Sequence, residues 1–256
     1  MDTKNKFYIL GCQRTGTTLL ELILESHPDV YCFGELCGYS AFLYPQSIVT
    51  PEPCIGFDIP GMTENFTVAH SRGLYDPSRD KILFTSRDPV DVVASMAQLP
   101  HPLGTFLNNF IAPIIQNRLI TDIEFCYKYA KEMEFMVSFL WPSPEYVIAA
   151  GALYYKNMNN MSDRYRELGY SVYDVEYADL VTYPEINLVN ICEYLGLPWS
   201  DNLLNHHLCI HTEVLEENMA LGNNPTNVPI FTSSINKGYT QMSKSEINII
   251  KHMMSL

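Results

Sequence analysis

The sequence has few positive charges and no long apolar run, and both shortages narrow its possible functions. The 256 residues include 16 Lys and Arg against 29 Asp and Glu, which gives a formal net charge of −13. A surface of this sign repels phosphate backbones and anionic lipids. We therefore expect no nucleic-acid partner and, without an apolar run of suitable length, no membrane span.

Two further absences concern the cellular compartment. The apolar stretch Phe7 to Leu10 is interrupted by Arg14 too early for a secretory signal. The seven cysteines are scattered, odd in number and without any Cys-x-x-Cys pair. Free thiols in a reducing cytoplasm are the plain interpretation, and we expect a soluble cytoplasmic protein.

Metal-binding patterns are also scarce. The sequence has no His-Glu-x-x-His, and only His207 and His211 are four positions apart, as a metal-binding pair on a helix would be. No third ligand has a familiar spacing. We therefore expect no metal site.

Short apolar segments alternate with amphipathic ones along the chain. Strands are predicted at residues 7–10, 31–33, 81–86 and 171–175. Helices are predicted over 17–26, 89–98 and 184–195, and from about Ser243 to the end, with residues 198–242 irregular. This order predicts an α/β fold, a central parallel sheet with helices on both faces. We expect one domain over 1–256, with a mostly helical insertion at about 103–168 divided at Pro113 and at 141–144.

The most informative segment joins the first strand to the first helix and reads Gly11-Cys12-Gln13-Arg14-Thr15-Gly16-Thr17-Thr18. Backbone N–H groups of such a loop point inward at a helix N-terminus, where anions bind. Gly11 and Gly16 allow tight turns, and Arg14 adds a permanent forked cation. The loop lacks the Gly-Lys-Ser/Thr of a Walker A motif. The alternative is a strand-to-helix turn without chemistry.

Here the chain resembles the sulfotransferase superfamily, above all its protein-tyrosine and bacterial branches. The family's 5′-phosphosulfate loop, Arg-Ser-Gly-Thr-Thr before an apolar helix and His-Pro, is similar to Arg14-Thr15-Gly16-Thr17-Thr18, followed by His27-Pro28. The resemblance implies a P-loop-like nucleotide-binding fold. It also implies that Arg14, Thr15, Gly16, Thr17 and Thr18 bind the cofactor.

A second family motif binds the 3′-phosphate. It consists of Arg-Asp-Pro after a strand and a Ser eight positions after the Arg. Here it corresponds to Arg87-Asp88-Pro89, with Ser95 eight positions after the Arg. Arg87 follows a predicted strand at the carboxyl edge of the sheet, where open α/β sheets bind ligands. Pairing of Arg87 with Asp91 on its own helix is the structural alternative.

Weaker matches extend the resemblance toward the C-terminus. Tyr177 begins Tyr-Ala-Asp-Leu-Val, which is similar to the family segment that touches the nucleotide. Asn227, Val228 and Lys237 lie in a stretch that resembles the family's closing loop, whose Lys reaches the phosphates. The alternatives are a packed core Tyr and an ordinary surface Lys.

The resemblance implies in-line transfer of a sulfuryl group from 3′-phosphoadenosine 5′-phosphosulfate (PAPS) to an acceptor hydroxyl, with adenosine 3′,5′-bisphosphate as product and no metal. Arg14 would stabilise the charge that develops on the leaving phosphate. By analogy with the tyrosyl branch, Glu35 is the expected catalytic base, and His70 is the rival from the small-molecule branch.

One departure from the family is Asp58, in Gly56-Phe57-Asp58, where relatives often carry a Lys that helps the leaving group. The acceptor stays open among a small molecule, a carbohydrate and a peptide. Two alternative functions also stay open: a degenerate P-loop kinase and a non-catalytic nucleotide-binding relic of the fold.

Overall fold

The computed structural model describes residues 5–34, 50–60, 63–101, 104–211 and 228–256. The chain divides into two compact units. The first unit contains the described residues within 1–87 and 159–232, and the second contains those within 88–158 and 233–256. The prediction of a single domain with a helical insertion stays a prediction.

The first unit is built on a five-stranded sheet in which all neighbouring strands are parallel. Its strands, in chain order, are β1 (Asn5–Gly11), β2 (Val30–Phe33), β3 (Cys54–Asp58), β4 (Lys81–Ser86) and β7 (Ser171–Glu176). The spatial order is β2-β3-β1-β4-β7, so β1 is central. Because the connections diverge to opposite sides of β1, a ligand crevice is expected beyond its carboxyl end.

Strand β1 is buried on both faces, as expected for the centre of a parallel sheet. Phe7 and Ile9 pack on one face into an apolar cluster with helix α1 (Thr17–Glu25), while Tyr8 and Leu10 pack on the other face into an aromatic cluster. The two-residue period of a strand therefore divides one apolar run between two cores.

The helices of the first unit follow its strands. They are α1, α2 (Phe66–Ser71), α8 (Met161–Glu167), α9 (Tyr177–Thr182) and α10 (Pro184–Leu195), with short 3₁₀ turns at Asp201–Leu203 and His206–Leu208. The predicted end of α10 is confirmed, since Gly196 adopts a left-handed φ of 77° directly after it.

The second unit is mostly helical. Its helices are α3 (Pro89–Gln98), a π-helical turn (Leu107–Ile111), α4 (Ala112–Thr121), α5 (Ile123–Lys128), α6 (Ala130–Val137), most of α7 (Pro144–Asn159), α11 (Lys237–Gln241) and α12 (Lys244–Ser255). A short antiparallel pair, β5 (Pro100–His101) and β6 (Gly104–Thr105), follows α3. Ser243 caps α12 through a capping box with Glu246, at the predicted start of that helix.

Several details differ from the sequence expectation, including helix α9 and helix α11, the latter within the segment 198–242 that was expected to be irregular. Strand β3 and helix α2 were not predicted, and Gly56 is the reason for the first omission, because Gly is rare in strand interiors. A Cβ at Gly56 would lie 2.4 Å from the Phe7 ring, so close packing requires glycine there. Pro113 lies in the first turn of α4, where proline is tolerated, directly after the π-helical turn that ends at Ile111.

Candidate functional site

The loop after β1 is shaped by its two glycines. Gly11 has a φ of 143°, and a Cβ at this position would lie 2.5 Å from the carbonyl oxygen of Thr85 on β4. Gly16 has a φ of 102°, and its Cβ would lie 2.5 Å from Cδ2 of Tyr177. Arg14, between them, has a left-handed φ of 74°. The loop is therefore a specific backbone conformation that substitutions at either glycine would disrupt.

Helix α1 begins directly after this loop, and its N-terminus is suited to binding an anion. Its N-cap residue is Gly16, which offers no side chain, and its first turn contains no acidic residue. The first backbone N–H groups of a helix have no partners within the helix, and its dipole favours negative charge there. The side chains of Thr17, which is buried, and Thr18, which is half-buried, stand in the same turn. This arrangement fits a phosphate group.

Thr15 differs from its neighbours because its hydroxyl serves the loop itself. Its Oγ1 donates to the carbonyl oxygen of Cys12 at 2.6 Å and lies 2.6 Å from Oγ1 of Thr85. The side chain is 1 % exposed. The hydroxyl therefore holds the loop to β4, and the Thr15 backbone N–H also donates to the Cys12 carbonyl, at 3.3 Å. The role of Thr15 in cofactor binding stays a prediction.

Thr63 holds the start of the loop at Gly11, a role that the sequence did not predict. The backbone N–H of Gly11 donates to Oγ1 of Thr63 at 3.1 Å, and the Gly11 carbonyl lies 2.8 Å from the same oxygen. The hydroxyl of Tyr165 in turn donates to the Thr63 carbonyl. Both side chains are fully buried. A lone Thr carries no sequence signal for this role, because the role depends on a contact 52 positions away.

Arg87 follows β4, as the sequence predicted, and it lies beside the loop. Its Nη1 donates to the carbonyl oxygen of Arg14 at 3.3 Å. Its guanidinium carbon lies 4.4 Å from the centroid of the Tyr177 ring, a cation–π distance. Tyr177 thus packs against both Gly16 and Arg87. The structure brings Arg14, Gly16, Arg87 and Tyr177 together in the first unit.

The second unit contains two other predicted residues, on elements in contact with each other. Ser95 is half-buried on α3, and Lys237 is exposed at the start of α11. The carboxylate of Asp91 on α3 accepts hydrogen bonds from the backbone N–H groups of Asn236 and Gly238, at 2.8 and 2.7 Å. Asp91 therefore contacts the residues on either side of Lys237.

The predicted bases and the closing loop are described only in part. Glu35 and Asn227 lie outside the described residues, while Val228 is described and half-buried. His70 lies on α2, where its Nδ1 is 2.8 Å from the hydroxyl of Tyr170. This hydrogen bond joins His70 to the aromatic cluster behind the sheet. The roles of Glu35, His70, Asn227 and Val228 stay predictions.

Asp58 ends β3 beside Ile9 of β1 and is fully buried. Burial raises the pKa of the Cys32 thiol well above its ordinary value, and the carboxylates of Glu21, Glu25 and Asp58 add to that rise. Asp58 thus belongs to an acidic neighbourhood on the α1 side of the sheet. A Lys in relatives would have the opposite charge at this position.

The pair His207 and His211 does not lie on one helix, because the turn at His206–Leu208 is followed by extended chain. Both ring nitrogens of His211 are engaged: Nδ1 lies 2.7 Å from Glu25 and Nε2 lies 2.8 Å from the His206 carbonyl. The hydrogen bond with Glu25 is the main cause of the raised pKa of His211. Among the described residues, no group of three His, Cys, Asp or Glu is arranged to hold a metal ion.

Within the described ranges, no helix combines the length and the apolar character needed to cross a bilayer. The described cysteines are free thiols, at positions 12, 32, 54, 126, 192 and 209.

A family model described as "Sulfotransferase family" matches residues 6–46, which include the whole loop. No curated protein matches the chain in sequence.

Three solved structures share its architecture. The sulfotransferase domain from the curacin biosynthetic pathway has a TM-score of 0.58 at 14% identity, with 100% of this chain and 99% of that one covered. The sulfotransferase domain of the Synechococcus PCC 7002 olefin synthase has a TM-score of 0.52 at 17% identity, over 99% and 96%. Mouse sulfotransferase SULT7A1, complexed with PAP, has a TM-score of 0.54 at 11% identity, over 100% and 84%.

At these identities the solved structures establish the fold, and the family model shows that the segment containing the loop is similar to sulfotransferases. The predicted P-loop-like α/β class is confirmed. Together, the match over residues 6–46 and the shared fold confirm the predicted resemblance to the sulfotransferase superfamily.

Proposed function

We propose that this protein is a PAPS-dependent sulfotransferase that transfers a sulfuryl group to the hydroxyl of an acceptor. The observation that carries the proposal is the loop at the N-terminus of α1. It combines a helix start without acidic residues, two glycines in conformations that other residues adopt rarely, and two arginines, Arg14 and Arg87, joined by a hydrogen bond.

The residues of the first unit fit the phosphate groups of the nucleotide. The loop N–H groups, with Thr17 and Thr18, would hold a 5′-phosphate, because the helix start attracts anions. Arg87, stacked on Tyr177, would bind the 3′-phosphate through its forked donors. By resemblance, Ser95, Asn227, Val228 and Lys237 complete the cofactor-binding set. When bound, PAPS supplies the activated sulfuryl group.

The chain's own residues would lower the barrier in two ways. Arg14 and the loop N–H groups stabilise negative charge at the 5′-phosphate, where charge develops as transfer proceeds. A carboxylate or imidazole takes the proton of the acceptor hydroxyl, and Glu35 or His70 is proposed for that role. Turnover of the Glu35→Gln and His70→Ala variants decides between them.

The acceptor belongs to the class of hydroxyl-bearing compounds, whether small molecule, carbohydrate or peptide, and we propose a cytoplasmic location. A kinase is less well supported, because the loop lacks the Gly-Lys-Ser/Thr that contacts phosphate and Mg²⁺. A binding relic would keep affinity for the bisphosphate product without transferring sulfate.

The test measures affinity and transfer separately. Adenosine 3′,5′-bisphosphate should bind at least about tenfold tighter than 5′-AMP, because a charge-assisted bond to the extra phosphate contributes about 1.5–3 kcal/mol. Arg87→Ala should abolish this preference. Arg164→Ala is the matched control, since Arg164 pairs with Glu167 on an exposed helix surface.

Equal affinities for the two nucleotides in the wild type would contradict the assignment of a 3′-phosphate site. Thermal stabilisation by ATP with Mg²⁺ but not by the bisphosphate would favour the kinase. Incubation with PAPS and a panel of alcohols then distinguishes an active transferase, which labels an alcohol with sulfate, from a relic, which does not.

A further inference from the structure

The backbone on both sides of Lys237 is held to α3 by the carboxylate of Asp91. We define the Lys237 turn as Asn236–Tyr239. Oδ2 of Asp91 accepts from the Asn236 backbone N–H at 2.8 Å, and Oδ1 accepts from the Gly238 backbone N–H at 2.7 Å. One side chain thus bonds the backbone immediately before and immediately after Lys237.

Asp91 is unusual among its neighbours. The other buried residues of α3 are apolar, namely Val90, Val92, Val93, Ala94 and Met96, whereas Asp91 is a carboxylate with 3 % exposure. Burial of a charged group is costly unless hydrogen bonds compensate for lost water. Two short bonds from backbone N–H groups provide this compensation, and the position in the first turn of α3 adds a favourable helix dipole.

Neighbouring residues reinforce the same docking. Asp88 accepts the α3 cap bonds through Oδ1 and accepts the hydroxyl of Tyr239 through Oδ2 at 3.1 Å. A Cβ at Gly238 would lie 2.6 Å from the carbonyl oxygen of Val90, so the turn approaches α3 as closely as glycine permits. Asn236 adopts a left-handed φ of 58°, a conformation that Asn tolerates better than most residues.

The position of Asp91 relates the turn to Ser95. The two residues are four positions apart on α3 and therefore lie on the same face, one turn apart. The side chain of Lys237 is exposed while its flanking backbone is held at that face. We propose that Asp91 is a positioning residue that fixes Lys237 beside Ser95, so that both can bind phosphate of the nucleotide. This inference rests on the proposed function.

The first experiment compares the wild type with Asp91→Asn, which keeps the shape but removes the charge and one acceptor. Amide hydrogen exchange of Asn236 or of Gly238, whichever loses its acceptor, should become at least about tenfold faster, because one strong bond is lost. Affinity for adenosine 3′,5′-bisphosphate should fall about tenfold. Glu246→Gln is the matched control, since Glu246 also accepts a backbone bond in this unit but outside the turn. It should change neither measurement.

The second experiment is a double-mutant cycle with Lys237→Met. If Asp91 acts through Lys237, Asp91→Asn should change affinity less than about twofold once Lys237 is absent. Independent, multiplying effects would overturn the proposal, because a merely structural role does not depend on the Lys side chain. Unchanged exchange of both the Asn236 and the Gly238 amides in Asp91→Asn would also overturn it.

Failure of the proposed function gives a different pattern. If the bisphosphate does not bind the wild type, the function is wrong, and so is the role of Asp91 in binding, whatever the exchange result. If the bisphosphate binds but Lys237→Met leaves affinity unchanged, only the role of Lys237 and Asp91 is overturned.

A variant that does not fold would not end the test. Gly238→Ala keeps Asp91 and displaces the turn from the Val90 carbonyl. It should produce the same loss of affinity, and again less than a twofold change in the Lys237→Met background. Normal affinity in folded Gly238→Ala would contradict the proposal.

Discussion

The loop at Gly11–Thr18 and the Lys237 turn are both anchored segments that carry predicted phosphate ligands, but they are anchored by different chemistry. The loop is held by neutral, fully buried hydroxyls of Thr15, Thr63 and Thr85. The Lys237 turn is held by the carboxylate of Asp91. A neutral anchor leaves the positive field of the loop intact, whereas an anionic one partly opposes the charge of the Lys that it fixes.

The difference shows what each segment requires. The loop offers backbone N–H groups, so its anchors must accept and donate without competing for the anion. The turn offers a long side chain, so its anchor can use the strongest available bond to the backbone and leave the ammonium exposed. Variants of Gly16 and Thr63, each with a control, test the anchoring of the loop, and a third prediction concerns pH.

The largest effect is expected from Gly16→Ala. The new Cβ would lie 2.5 Å from the Tyr177 ring, and φ at this position is 102°. Displacement of Tyr177 also disturbs Arg87, which stacks on it. Affinity for adenosine 3′,5′-bisphosphate, measured by calorimetry, should fall about 100-fold, because strain and lost contacts each contribute about 1–3 kcal/mol.

Gly196→Ala provides the control for strain alone. Gly196 also has a positive φ, of 77°, but nothing lies within 4 Å of its Cβ position. This variant should lose about 1 kcal/mol of stability and keep its affinity. Equal loss of affinity in both variants would mean that the contact between Gly16 and Tyr177 has no special importance.

An intermediate effect is expected from Thr63→Val, which replaces the hydroxyl with a methyl group of similar volume. The Gly11 N–H loses its acceptor, so the free energy of unfolding should fall by about 1–3 kcal/mol in urea titrations. Thr63→Ser should keep most of it. If Thr63→Val is as stable as Thr63→Ser, the hydroxyl is not an anchor, and the contrast between neutral and charged anchoring is lost.

The smallest effect is a pH dependence of the free energy of unfolding that arises from His206. The other variants should therefore be compared at one pH. Burial, followed by the charges of His211 and His207, lowers the pKa of His206 from 6.5 to about 4. Between about pH 6.5 and pH 4, His206 is protonated in the unfolded chain but neutral in the folded one. Because protonation favours the unfolded chain, the free energy of unfolding falls as pH drops through this range. The loss should be about 1 kcal/mol per pH unit in that window.

Nearby His211 works in the opposite direction. Its pKa is raised, chiefly by the hydrogen bond with Glu25, so its contribution is full below the unfolded pKa and is lost as pH rises through the folded one. Urea titrations at pH 7 and 5.5 should show less acid destabilisation in His206→Leu than in the wild type. His252→Leu, at an exposed site in the second unit, is the control. An identical pH response in wild type and His206→Leu would refute the assignment.

The parts of the fold that sequence predicts well are those with local signals. Strand β1 is a short apolar run before a glycine, and α3 and α10 begin at Pro89 and Pro184, which fit a first helical turn. Strand β3 is not predicted because Gly56 interrupts its apolar pattern. The reason for a glycine there is the Phe7 ring on the neighbouring strand, which leaves no room for a Cβ, and the sequence alone does not show this contact.

The same distinction applies to the site. Gly16 and Arg87 could be predicted because they belong to contiguous motifs, and the structure brings them to a common neighbour, Tyr177. Thr63 and Asp91 could not be assigned their anchoring contacts, since their partners are 52 and 145 or more positions distant. Thr15 resembles a ligand in the motif, but its hydroxyl has turned inward to Thr85.

The position of Cys12 has a practical consequence. Its side chain is 1 % exposed within the loop, and burial raises the pKa of its thiol well above the ordinary value. The thiolate is the nucleophile that attacks an alkylating reagent, so the buried, protonated Cys12 reacts only when the loop opens. The half-buried Cys126 and Cys209 are available without such opening. The rate of alkylation at Cys12, measured by mass spectrometry of its peptide, therefore reports how often the loop opens. No label has to be introduced for this measurement.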